Sequence, residues 1–120
     1  MTEQTYQKMK SMGYIIDRQG KDFVTYKGLL WYTSQIGTLT DLHVEQHEID
    51  WTNGRFVMKA VATLKTKSGE IIKRSSIGDA TLKNVSGMIA PHALRMAATR
   101  AKARALRDVC MIGLTAIEEI

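Results

Sequence analysis

The 120-residue chain has one cysteine, one proline and no apolar run approaching the ~18 residues a membrane helix needs. With Cys110 alone, no internal disulfide can form, and its place inside a helical pattern marks it as a small buried apolar residue in a reduced compartment. The opening MTEQTYQKMK has no apolar stretch of the kind an export signal carries, so the expected location is cytoplasmic. Nucleotide-binding GxxxxGK, the nucleophile elbow GxSxG and the zinc-protease HExxH are all missing. No residue pattern argues for covalent or acid–base catalysis, and no cofactor is expected. The most informative absence is local: between Pro91 and Arg107 there are five basic residues and no acidic one.

What is present suits one folded domain. The apolar fraction is 44% and the mean hydropathy −0.18, enough for a real core. The net charge of +5 is unevenly spread: residues 1–54 carry five Lys/Arg against seven Asp/Glu, and residues 55–120 carry twelve against five, giving −2 and +7. A basic half beside an acidic half suggests a polyanion for one and a neighbouring subunit for the other.

In order, residues 1–12 form a weak helix closed by Gly13, and Tyr14–Ile16 precede a polar loop turning at Gly20. Phe23–Tyr26 suits a short strand, and LLWYTSQI a helix ending at Gly37, with Trp31 and Tyr32 in the core. Asp41–Trp51 alternates on Leu42 and Val44, then changes phase to Ile49 and Trp51, which predicts a bulge near Gln46–Glu48. Asn53-Gly54 predicts a tight hairpin with positive φ at both turn positions. Arg55–Lys67 is a long strand with Phe56, Met58, Ala60, Ala62 and Leu64 on one face, and Ile71–Ile77 returns after a second turn. The exposed edges of such a meander must be paired or blunted. A short helix over residues 82–90 leads to Pro91. The fold class is therefore α+β: a three-stranded antiparallel meander packed against a long basic C-terminal helix.

That helix runs from Pro91 to Gly113, the glycine suiting the left-handed position that ends it. At about 100° per residue, Leu94, Ala98, Ala101, Ala105, Val109 and Ile112 share a stripe. Arg100, Arg104 and Arg107 share another face, with Lys102 and Arg95 on the far flank. Solvated helices usually mix signs, so a bare arginine row calls for an anion. Because Ala is the better helix former and like-charge repulsion is relieved, Arg104→Ala is expected to leave folding almost untouched. Lys73, Arg74 and Lys83 lie near the row in sequence, completing the electrostatic footprint of a nucleic-acid binder. Other residues point elsewhere only weakly. His43 and His47 lack a third ligand. Asp41, Glu45, Glu48 and Asp50 sit on one strand with mixed parity, suiting a solvated or docking face rather than a metal site.

Three stretches together resemble the Rad fifty-two family of single-strand annealing proteins and its phage relatives. FVTYKGLL (23–30) is similar to the aliphatic–Tyr–x–x–Gly lead into that family's first helix. TNGRFVMKAVATLKTKSGEIIKRSSIGDA (52–80) matches its Asn-Gly-basic-Phe hairpin, long strand, Lys-x-Gly turn and strand-end glycine. TRAKARALRDVCMIG (99–113) resembles its Thr-x-x-x-Lys-Arg-Ala-Leu-Arg helix. The resemblance divides the chain into an extension (1–22), an annealing core (23–113) and a tail (114–120). It implies a β–β–β–α core assembled into rings or open helical oligomers, single-stranded DNA in an outer basic groove with bases outward, and no nucleotide consumed. A recombinase or single-strand-binding protein is an implied further partner. By motif position Arg104, Arg107, Thr99 and Lys83 fall on DNA-binding positions. Ala103 stands where the family has lysine, with Lys102 one residue earlier, and Leu30 stands where it has a basic residue; Arg100 is expected to compensate. Two other readings stay open, a double-stranded-RNA-binding module and a structural oligomer that binds an acidic protein.

Overall fold

The computed structural model describes residues 1–82 and 90–119. The element order is α1 (Glu3–Ser11), β1 (Ile15–Arg18), β2 (Lys21–Val24), α2 (Tyr26–Ile36), β3 (Gly37–Asp50), β4 (Arg55–Thr66), β5 (Ile71–Thr81) and α3 (Ala90–Cys110), followed by a 3₁₀ turn at Ile117–Glu119. The expected α+β class holds: three antiparallel strands in the order β3-β4-β5, with α3 across one face. The short helix expected over 82–90 falls almost wholly on residues outside the described ones. Among the described residues no helix is long and apolar enough to cross a membrane.

The first segment is better ordered than its composition suggested. Thr2 caps α1 by accepting from the Thr5 amide, and Met9 is fully buried. β1 and β2 close into a hairpin through Gln19 and Gly20, at φ 55° and 82°, which is the two-residue positive-φ turn. That turn was expected instead at Asn53-Gly54, where only Gly54 has positive φ (64°). There the connection takes four residues, because the Asp50 carboxylate accepts from both the Asn53 amide (3.0 Å) and its side chain (2.7 Å) and holds Asn53 in place.

Two bulges set the sheet. The register shifts at Gln46/Glu48, as the phase change predicted, and again at Leu39/Asp41, where no shift was foreseen. Each inserts one residue, so Leu39, Leu42, Val44, Gln46 and Ile49 all pair with the Phe56–Leu64 face of β4. That face is the core: Phe56, Ala60, Ala62 and Leu64 are inaccessible to solvent. Val57 and Val61 of the other face are buried apart from this core, and among the described residues no helix joins them.

The bulge corrects the reading of the acids. Asp41, Glu45, Glu48 and Asp50 pair with Thr63, Lys59, Val57 and Arg55, which all lie on the open face of β4. They are therefore one acidic row, not a mixture of two faces. His43 sits within it, its Nδ1 2.6 Å from Asp41 and its Nε2 3.1 Å from Glu45, and the Asp41 hydrogen bond foremost holds its pKa above the usual value.

The helix α3 lies against the sheet through small residues. Ala93, Ala97, Ala101 and Ala105 are fully buried, and a Cβ added at Gly78 of β5 would strike the backbone of Ala97 and Ala101. Gly78 thus sets how closely helix and strand approach. A second buried flank, Ala103, Leu106 and Cys110, shares the core with Leu29 and Tyr32 of α2. The apolar face is wider than the expected stripe, and Leu94 and Ala98 lie only at its margin. The helix also stops earlier. Met111, at φ 57°, takes the left-handed position; Gly113 lies outside the left-handed region. Turning at Met111 buries Ile112 and sends residues 114–116 back to β2, where the Val24 amide donates to the Thr115 carbonyl (3.0 Å).

Candidate nucleic-acid interface

The arginine row exists as a geometric object, and two of its members, Arg100 and Arg104, reach the outer edge of β5. Arg100 Nη1 donates to the Asp79 carbonyl at 2.8 Å, and Arg104 Nη1 to the Ile77 carbonyl at 3.0 Å. The register has a simple origin. Four residues of helix rise about 6 Å, and two residues of strand rise about 6.6 Å, so side chains at i and i+4 meet alternate carbonyls of an antiparallel strand. The α3–β5 crossing therefore blunts the edge that an open meander would leave exposed. Farther along β5, Arg74 Nη1 donates to the Lys73 carbonyl at 2.9 Å.

The row is not unanswered, as the sequence suggested it would be. Glu119 accepts from Arg104 Nε (3.2 Å) and Arg107 Nη2 (2.7 Å), and its other oxygen lies 2.7 Å from Arg107 Nε. The Glu119 side chain is only 5% exposed, whereas those of Arg104 and Arg107 are 32% and 27% exposed. Asp79 contributes more loosely, 3.9 Å from Arg104. Arg107 also reaches the Leu114 carbonyl at 3.5 Å. The expectation that Arg104→Ala would spare the fold left these contacts out of account. This guanidinium joins a strand edge to the segment after α3.

Of the residues singled out from sequence, Arg100, Arg104 and Arg107 come together, and Lys73 and Arg74 extend their line along the same strand. Lys73 pairs with Thr63 and so lies on the open face, while Arg74 pairs with Ala62 and lies on the helix side. Lys102 departs from the group: its ammonium lies over the Tyr26 ring, 5.5 Å from the centroid, at the start of α2. Thr99 is half-buried in α3, about 100° round the helix from Arg100. Lys83 lies outside the described residues. What sequence reasoning missed is Glu119. The available signal was the pair Glu118-Glu119 soon after a helix with no acid between Pro91 and Arg107. Glu118 goes elsewhere, its carboxylate accepting from the Tyr26 amide (2.7 and 3.1 Å) at the N-terminus of α2.

Chemically, the edge offers guanidinium forks in series on rigid elements. Such forks bind the oxygens of carboxylates or phosphates. Against the three arginines of the row stand one buried carboxylate and one distant, half-exposed one, so positive charge remains in excess. No protein-family model matches the chain, and no curated protein matches it.

Proposed function

We propose that the protein binds single-stranded DNA through its phosphate backbone along the α3–β5 edge, and that copies assembled as an oligomer anneal complementary strands. The observation that carries this is the row of Arg100, Arg104 and Arg107 on α3, two of them bonded to the outer edge of β5, with Lys73 and Arg74 farther along that strand on its two faces and positive charge in excess. Arginines fixed on a helix hold phosphates and read no bases, which is what annealing requires of the protein. The likeness of residues 23–113 to the Rad fifty-two family supports the same reading, and so does the three-strand-plus-helix core. Many weak phosphate contacts act together when identical subunits repeat them along a strand. The acidic row on the open face of β3 is the complementary surface for a basic neighbour in such an assembly.

Double-stranded RNA is the competing ligand, because a basic helix behind three strands also suits a duplex reader. The test compares an unstructured single-stranded oligonucleotide, a DNA duplex and an RNA duplex at one salt concentration. It is paired with an annealing assay on complementary strands and light scattering of the free protein. The expected result is preference for the single strand, faster annealing and a mass well above 13.5 kDa. Preference for the RNA duplex would transfer the site to the second reading, and a monomer at every concentration would remove the assembly.

A further inference from the structure

Glu119 is placed where a phosphate would have to go. Its two oxygens engage Arg104 and Arg107 while one of them also accepts from the Ala116 amide at 2.8 Å. The segment carrying it is anchored independently, by the Val24–Thr115 hydrogen bond and by Glu118 on α2. The Glu119 side chain can therefore leave the arginines without the segment leaving the fold. We propose that Glu119 is an internal phosphate mimic, an autoinhibitory contact that occupies two arginines of the row until a strand displaces it. This rests on the row being the strand-binding site, and it names how that site is regulated.

The logic is competition for one set of donors. A carboxylate and a phosphate both accept bidentately from guanidinium, so both cannot hold Arg104 and Arg107 at once. With Glu119 in place, Arg100 is the member of the row not ion-paired to it. Weak, isolated phosphates then fail to dislodge Glu119, whereas a continuous strand, held also at Arg100 and Lys73, binds strongly enough to do so.

The test uses Glu119→Gln and, as control, Glu118→Gln. Both remove one negative charge from adjacent positions, but only Glu119 touches the row. Binding of a poly-dT oligonucleotide is measured by anisotropy across a salt series. Glu119→Gln should bind roughly threefold to tenfold tighter than the native chain and steepen the log–log salt slope by roughly 0.7 for each additional phosphate that the freed arginines neutralise. Glu118→Gln should shift affinity much less. Equal shifts for the two variants would overturn the latch while leaving strand binding intact; no binding by any of the three proteins would overturn both. A second readout needs no variant. On adding the oligonucleotide to the native protein, the Ala116 amide should exchange faster, because its acceptor has left, while the Val24 amide keeps its protection. An Ala116 amide whose exchange is unchanged in the bound state would equally refute the latch.

Discussion

At the scale of single residues, Arg104 shows how one side chain carries two roles. Its guanidinium donates to the Ile77 carbonyl and to Glu119, whose carboxylate is nearly inaccessible to solvent. Arg104→Ala gains helix propensity but leaves both acceptors short of a donor. We expect a loss of about 1–2 kcal/mol, read as a lower urea midpoint at unchanged slope. Arg95→Ala, on an exposed part of the same helix, should stay within about 0.5 kcal/mol of the native value. Equal stability of the two variants would mean that the carbonyl and carboxylate contacts contribute nothing. The basic character of this helix was legible in its composition. The partners of the row were not, because Glu119 lies 12 and 15 positions away and a strand carbonyl has no signature in sequence.

At the scale of elements, the joint between α3 and β5 depends on Gly78. A Cβ there meets helix backbone rather than a movable side chain, so Gly78→Ala must push the helix off the sheet. The expected cost is about 1–3 kcal/mol, with the arginine–carbonyl contacts loosened as well. An unchanged thermal midpoint would show that the close approach is dispensable. The first helix is held differently. The Tyr6 hydroxyl donates to Asp22, and that hydrogen bond, with burial, raises the tyrosine pKa from 10.0 to about 12, while it holds the Asp22 carboxyl below its usual value. A raised tyrosine pKa means stability present below pH 10 and lost as pH climbs toward 12; a lowered aspartate pKa means a contribution lost as pH falls below about 4. Lys8 lies over the Trp31 ring at 5.7 Å, so Trp31 fluorescence in a Trp51→Phe background reports the docking of α1. A transition between pH 10 and 12 is expected, and Tyr6→Phe should abolish it. A transition that survives Tyr6→Phe would place its cause elsewhere. Element order from α2 onward followed from hydrophobic phase and turn residues. The β1–β2 hairpin escaped because Gln19 at positive φ is not a turn signal, and the Leu39/Asp41 bulge escaped because a single shifted leucine does not break a pattern. Met111 ending α3 was equally hidden, since a nearby glycine was the better candidate by conformation alone.

At the scale of the whole molecule, one long basic helix is clamped to a strand edge, leaving an acidic row on the sheet's opposite face and edge. On the proposed reading, this asymmetry would give a head-to-tail assembly opposite charges to match and leave the arginine edge for a polyanion. Whether this edge holds phosphates is decided by the salt dependence of single-strand binding. Arg100→Gln and Lys73→Gln are compared with Arg95→Gln, which lies on α3 about 140° from Arg100. If Arg100 and Lys73 each neutralise a phosphate, each variant should flatten the log–log slope by roughly 0.7 and weaken binding to all sequences alike. Arg95→Gln should leave the slope unchanged. Equal flattening in all three would mean diffuse charge without a defined edge, and no flattening in Arg100→Gln or Lys73→Gln would mean that the strand binds elsewhere.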